Sequence, residues 1–266
     1  MTTNDQPSPY FQKIQQMVQM QYDLSITLAG ENWLLDPKVD TTSAMQKEAD
    51  ELIESAGYVP WWVKTEAKVD AENCKTEVVD LWHFLMQGCL QEAARGGVPA
   101  AELVECVTTN LDDAYQEFLK GPSITFGLTN VRLTQRWLSM VLLNGMPMDS
   151  LRMFWEMADR FGLSLDDLYG RYFAKNTLNR FRRMANYKGD KADMPAYVKL
   201  WDGEHEDNWH VLRYVEHTNG NVDDLLEVMA MIYKHYTGIE VMAVDTEKLQ
   251  TLLPVHYMLQ LSRNAL

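Results

Sequence analysis

Cysteine is scarce in this chain: Cys74, Cys89 and Cys106 are three in 266 residues, an odd number with no CxxC pair. Neither a disulfide framework nor a zinc pattern can be built from them. They read as the reduced thiols of a cytosolic protein. Long apolar runs are missing as well. None approaches the roughly 20 residues a spanning helix needs, and the opening MTTNDQPSPY lacks the charged-then-apolar layout of a secretory signal. Positive charge is short, with 24 Lys and Arg against 38 Asp and Glu and a formal net charge of −14. Such a balance argues against DNA, RNA or an anionic membrane as partner, because phosphate contacts need a positive surface. No GxxxxGK, GxSxG or GxGxxG occurs, so P-loop, α/β-hydrolase and dinucleotide chemistry have no footing. The expectation is a soluble, cytoplasmic protein with neither a nucleic-acid nor a membrane partner.

Strand signals are also few, since no alternating β-branched run exceeds four or five residues. What is present is helical period and apolar mass. With 46% hydrophobic residues, eight Trp and sixteen Met, a large core is easily built. Apolar spacing predicts helices over 12–28, 44–55, 72–94, 100–119, 130–143, 148–161, 164–185, 222–236 and 246–263. Thr42-Ser43 is the expected cap of the second helix, and Gly96-Gly97-Val98-Pro99, Gly121-Pro122 and Gly145-Met146-Pro147 are the separators. The fold class that follows is all-α: a multi-helix bundle over 1–266, read as one catalytic domain with a mobile helical insertion at about 96–147.

Two features carry chemistry. Glu48 and Glu51 form ExxE in the second helix; Glu77 and Asp80 form ExxD in the third. Spacing of three places each pair on one helical face. If the two helices pack together, four carboxylates converge, which is costly unless a cation neutralises them. Oxygen-only ligands favour Mg²⁺ or Mn²⁺ over zinc. Chance alone yields about five acid-xx-acid pairs among 38 acids in 266 residues, so the pairs need support. The second feature is a basic island on the acidic background: Arg171, Lys175, Arg180, Arg182, Arg183, Lys188, Lys191 and Lys199, with only Asp190 and Asp193 among them. Clustered donors of this kind fit a small phosphorylated ligand, although any one of them is ordinarily a solvated surface residue. His205 and His210 in GEHEDNWH have no metal-site spacing around them and read as loop and surface residues.

Read together, these stretches resemble one family. Glu77-Val-Val-Asp80-Leu-Trp-His83-Phe84-Leu resembles the ExxDxxHFL helix of the dimeric dUTPases, a branch of the all-α nucleoside triphosphate pyrophosphohydrolases that also includes the MazG type. Lys175-Asn176-x-Leu178-Asn179-x-Phe181-Arg182, Tyr187-Lys188-Gly189, Tyr197-x-Lys199-x-Trp201-x-Gly203 and Glu206-Asp207-Asn208 are similar to its long C-terminal signature. Gln21 to Ser25, followed by Trp33, is similar to its opening motif. The chain departs from the pattern at three places. Ser25 stands where the family usually has an Asn that helps read the base. Asn186 stands where a Gly commonly precedes Tyr-Lys, and the 190–195 link is longer than usual.

The resemblance implies hydrolysis of dUTP, and of dUDP, to dUMP by a homodimer using two or more Mg²⁺ ions, with Mn²⁺ as the other suitable ion. Glu48, Glu51, Glu77 and Asp80 would hold the ions, and either Glu48 or Glu51 would serve as general base. Lys175, Arg182, Lys188 and Lys199 would grip phosphate. Gln21, Ser25, Asn179, His83 and Asn208 would meet the deoxyuridine nucleotide, with Trp61 or Trp62 as a stacking wall and Phe84 or Tyr187 excluding a 2′-hydroxyl. Trp62 is expected in the core. The alternatives are a related enzyme preferring dCTP or another deoxynucleotide, motivated by Ser25, and a non-catalytic nucleotide-binding helical module.

Overall fold

The computed structural model describes residues 8–60, 62–64, 66, 68–217 and 224–243. The described residues form nine α-helices and no strand: α1 (Phe11–Ala29), α2 (Thr41–Ser55), α3 (Ala71–Arg95), α4 (Leu103–Lys120), α5 (Asn130–Asn144), α6 (Met148–Arg160), α7 (Leu165–Met184), α8 (Asp207–His217) and α9 (Leu225–Thr237). A single 3₁₀ turn, Ala100–Glu102, leads into α4. The all-α expectation holds. None of the described helices is long and apolar enough to cross a membrane. The chain divides into two compact units, Met1–Tyr172 and Phe173–Leu266, with the boundary inside α7.

The first unit is organised around α3. From Leu81 to Gln91 every residue of that helix except Phe84 is buried, the pattern of a helix enclosed on all sides. It packs against α1, α2 and α4. Trp82 stacks on Phe154 with ring centroids 5.1 Å apart and meets Trp155 at 4.9 Å. An enclosed helix must satisfy the polar groups it carries. Gln91, buried, accepts from Thr41 Oγ1 (2.9 Å) and donates to the Val39 carbonyl (3.0 Å), which ties the turn before α2 to α3. Helices α4 and α5, within the stretch read as an insertion, place Leu103, Val107, Leu111, Leu133 and Trp137 in the same core cluster as α1–α3.

Local signals explain the helix ends. The cap of α2 is Asp40 rather than Thr42-Ser43: its carboxylate accepts from the Ser43 N–H at 3.0 Å, so the helix starts three residues earlier. Asp70 does the same for α3 through Asn73 N.

The second unit has a separate core, in which Phe181, Trp201, Val211, Tyr214, Val228, Met229 and Tyr233 are buried. Tyr197 lies flat on Tyr233, with centroids 5.3 Å apart and planes 8° from parallel. Sequence reading missed α8, having treated 206–208 only as the end of a motif. Its buried positions, 207, 210, 211, 214 and 215, show the helical period plainly. That helix also corrects the reading of His210, which is buried against Trp201 at 5.3 Å; His205 does lie in the preceding loop. The helix expected over 246–263 lies outside the described residues.

Candidate active site

Helices α2 and α3 pack together through apolar stripes: Met45, Ala49 and Leu52 from one, Val78, Leu81, Trp82 and Leu85 from the other, all fully buried. Register then decides where the acids go. Residues 48 and 51 flank the buried stripe of α2, and 77 precedes Val78 on α3. The side chains of Glu48, Glu51 and Glu77 each bring an oxygen within 4.8 Å of the other two. Glu77 is only 6% exposed, while Glu48 and Glu51 are half-buried. Asp80, one turn along α3 and half-buried, stands outside that set of three.

Three carboxylates this close repel one another, and the field is felt nearby. The Lys47 ammonium is pushed above its usual pKa, first by its hydrogen bond to Glu51 and then by the charges of Glu48, Glu51 and Glu77. Burial first, and then the charges of Asp70 and Glu77, raise the Cys74 thiol to about 11. Lys47 was overlooked in the sequence, although KxxxE at i, i+4 is a readable pair. The donor set suits a hard divalent ion. Such an ion takes carboxylate oxygens at about 2.0–2.6 Å, so oxygens sharing one ion lie within about 5 Å of each other, as these three do.

A second polar group is buried on α1 and α3. Gln21 and Ser25, one turn apart on α1, are 4% and 2% exposed. The Gln21 Nε2 donates to Ser25 Oγ at 3.2 Å, and its Oε1 lies 2.7 Å from His83 Nδ1. The Tyr172 hydroxyl donates to the Met17 carbonyl (3.0 Å) and sits 3.3 Å from the same Gln21 Oε1, with its ring tilted against His83 at 4.3 Å. Gln21, Ser25 and His83 were expected to share a site. Tyr172 was not, and no local pattern marks it: only the fold buries its hydroxyl, which must then find a partner. Phe84 is half-buried beside this group on α3. Trp61 lies outside the described residues. Trp62 is 66% exposed and therefore not the core residue expected; beside Pro60 it lies in an irregular segment, where no helix turns it inward.

In the second unit the basic block is largely wired to its own neighbours. Arg182, expected to fork onto phosphate, instead sets Nε and Nη2 on the two oxygens of Asp207, both at 2.7 Å, and its Nη1 on Asn179 Oδ1 at 3.2 Å. Asp207 is fully buried and also accepts from Tyr197 (2.7 Å) and Asn208 N (2.8 Å). Burial pushes the Asp207 carboxyl up, but the Arg182 and Tyr197 bonds outweigh it and hold it below the ordinary carboxylate range. Arg183 pairs with Asp190 and Lys199 with Glu206, both exposed pairs. Lys175 is half-buried, Lys188 and Tyr187 are exposed, and Asn208 is half-buried at the start of α8.

Two of the departures from the family pattern turn out to be one feature. Asn186 adopts φ +64°, the left-handed region that Gly favours and Asn tolerates. Its amide donates to the carbonyls of Lys191 (3.1 Å), Met194 (3.0 Å) and Pro195 (3.3 Å), and its oxygen accepts from Lys191 N (2.9 Å). The longer 190–195 link is thus folded around the side chain that replaces the glycine.

A family profile described as dUTPase matches residues 13–187, about two thirds of the chain. That span takes in Gln21, Ser25, the four carboxylates, His83, Lys175 and Arg182, and ends before Lys188, Lys199 and Asn208. A search of curated proteins found no match. The matched stretch contains both the convergent carboxylates of α2 and α3 and the buried amide network of α1 and α3. The chain belongs to the dUTPase family, in its all-α form, and is a dUTP diphosphatase.

Proposed function

We propose that the enzyme hydrolyses dUTP to dUMP and pyrophosphate, and dUDP to dUMP and phosphate, with Glu48, Glu51, Glu77 and Asp80 holding two or more Mg²⁺ ions. The observation that carries this reading is the approach of the Glu48, Glu51 and Glu77 oxygens to within 4.8 Å of one another. When bound, the ions would neutralise charge that builds on the phosphoryl oxygens. The residues of the chain do the rest. A carboxylate of the Glu48–Glu51 pair takes the proton of the attacking water. The water oxygen bonds to phosphorus as one phosphoanhydride bond breaks. Lys175, Lys188 and Lys199 supply point charges for the phosphates. Arg182, with its fork on Asp207, shares that charge while ordering the block.

Gln21, Ser25 and His83 are assigned to the edge of the base, with Asn179, Asn208 and Trp61 as further contacts. Phe84, with Tyr187 as second candidate, would fill the space a 2′-hydroxyl needs. The homodimer, the mobile insertion and the cytoplasmic location stand as part of the same proposal. The test is a substrate panel of dUTP, dUDP, dTTP and UTP, with and without Mg²⁺, reading dUMP and pyrophosphate release. Turnover of dUTP and dUDP that requires Mg²⁺, with UTP poorly used, is expected. Equal use of UTP and dUTP would remove the sugar filter, and unchanged turnover in chelator would remove the metal role.

A further inference from the structure

The turn between α4 and α5, residues 121–128, is held by side chains of α6. The Glu156 carboxylate, 5% exposed, accepts from Thr125 Oγ1 (2.6 Å), Ser123 Oγ (2.8 Å), Ile124 N (2.9 Å) and Thr125 N (3.2 Å). Arg160 donates to the carbonyls of Thr125 (2.9 Å) and Leu128, and Arg152 to that of Pro122. A buried carboxylate with four donors and two guanidinium groups leaves this turn little freedom. Its tip is nevertheless apolar. Phe126 is 92% exposed, the highest value of any large hydrophobic residue among those described, and Gly127 follows it in the left-handed region at φ +79°. A lone exposed apolar side chain is ordinary. One on a turn fixed by so many bonds is pre-organised, because it loses little freedom when a partner covers it. The charge around it has one sign: from Phe118 to Met148 the chain carries Lys120, Arg132 and Arg136 and no acid, although its net charge is −14.

The same unit holds a hole of opposite character. A cavity of about 580 Å³ opens between the turn after α1 and the stretch that joins α3 to α4. Leu34, Leu35, Val98 and Leu103 form much of its wall, and of the residues lining it only Glu31 and Asp36 are charged. Leu35 is 67% exposed there, so the cavity offers uncovered apolar surface with acids beside it. Its volume is ample for a phenyl ring.

We propose that Phe126 of one copy of this chain docks into the cavity of a second copy, with Lys120 and Arg132 facing Glu31 and Asp36, and that the exchange is reciprocal. The inference deepens the reading above, whose homodimer thereby receives a contact surface, and rests on it to that extent. Both halves of the contact belong to one unit of one sequence. Two copies that exchange Phe126 therefore make the same contact twice, which is the condition for a closed pair. Basic knob against basic knob would set like charges together, whereas knob against acidic hole sets opposite ones together, and that difference selects the pairing. The aromatic ring supplies the anchor, as buried aromatics do at the centre of protein–protein contacts.

The experiment reads the mass of the full chain by light scattering over a range of concentrations, with dUTP turnover followed in parallel. The wild type should pass from monomer to dimer. Phe126→Ser and Leu35→Lys stand at exposed positions, where substitution disturbs folding little. Each should weaken the association by at least about thirtyfold, the size of a hot-spot loss. Glu31→Lys should weaken it by a few-fold. Mixing the two strong variants is the sharpest arm. Phe126→Ser keeps its hole and Leu35→Lys keeps its knob, so the mixture should form a pair with one contact of the two and associate more tightly than either variant alone. A monomeric wild type, a mass that grows without limit, a dimer unaltered in either strong variant, tighter association in Glu31→Lys, or a mixture no tighter than its parts overturns the contact. A cavity that takes a different protein or a small apolar ligand, with no self-association, overturns it as well. All of these leave the enzyme reading intact while dUTP is hydrolysed. Loss of wild-type turnover overturns that reading and leaves the contact standing.

Discussion

Glu48, Glu51 and Glu77 are three like charges gathered on the joined faces of α2 and α3, with Lys47 paired to Glu51, whereas Arg182, Arg183 and Lys199 in the second unit are each matched to one acid. The contrast separates two uses of charge. A pair of opposite charges that satisfy each other explains itself as structure, and the exposed ones contribute little. A convergence of like charges, one of them 6% exposed, is a donor set that could hold a cation. The acidic region is therefore expected to matter for turnover and little for folding, and the buried Arg182–Asp207 pair the reverse.

The largest effect should come from the first region. Replacing Glu48 by Gln keeps the shape of the side chain and removes one charge of the three; dUTP turnover should fall by about 10²–10⁴-fold, with an unchanged or slightly raised melting temperature. A large loss of stability instead would place Glu48 in the structural class. In the second region Arg182→Ala leaves Asp207 buried without its counter-ion and should cost about 3–5 kcal/mol, read by denaturant unfolding. The double variant Arg182→Met/Asp207→Leu should recover most of that. If it does not, the pair does more than neutralise itself.

Acid sharpens the same contrast. The Asp207 carboxyl is held below its ordinary value in the folded chain, so its contribution is fully present above the unfolded value of about 3.9. It is lost as pH falls from there through the lower folded value. Melting curves between pH 5 and 2 should show a stability drop that is shallower in the Arg182→Met/Asp207→Leu double variant.

How much of this was legible in the sequence follows from the range of the interactions. The positions of α1–α7 and α9 followed from apolar period, and the three-residue spacing of Glu48/Glu51 placed both on one flank. That α2 and α3 pack together is a tertiary fact, which spacing alone could only make conditional. The pairing inside the basic island was not legible for the same reason: Arg182 lies 25 residues from Asp207, and no local pattern announces it. Asp207 itself was counted as part of a motif, so the helical period of α8 that buries it went unread. Lys47 was missed although its i, i+4 spacing to Glu51 is a local signal, and Tyr172 was missed because only the fold buries its hydroxyl. For Asn186 the departure from glycine was visible, but its compensation by the 190–195 link appears only when the amide meets three carbonyls.

That last feature makes a smaller prediction. Asn186→Gly keeps the left-handed backbone but removes four hydrogen bonds, and should cost about 1–3 kcal/mol, with faster amide exchange confined to 190–195. Asn186→Ala should be worse, since the alanine also resists a positive φ. Smallest of all, Trp62→Ala at an exposed position should change stability by no more than about 0.5 kcal/mol, in contrast to any buried Trp.

The central claim is that Glu48, Glu51 and Glu77 together hold a divalent ion, and binding can be measured without turnover. Titration of Mn²⁺, followed by its electron paramagnetic resonance signal, should show saturable binding to the wild type that Mg²⁺ displaces, and at least a tenfold weaker affinity in Glu77→Gln. Equal Mn²⁺ affinity in the two proteins would contradict the account.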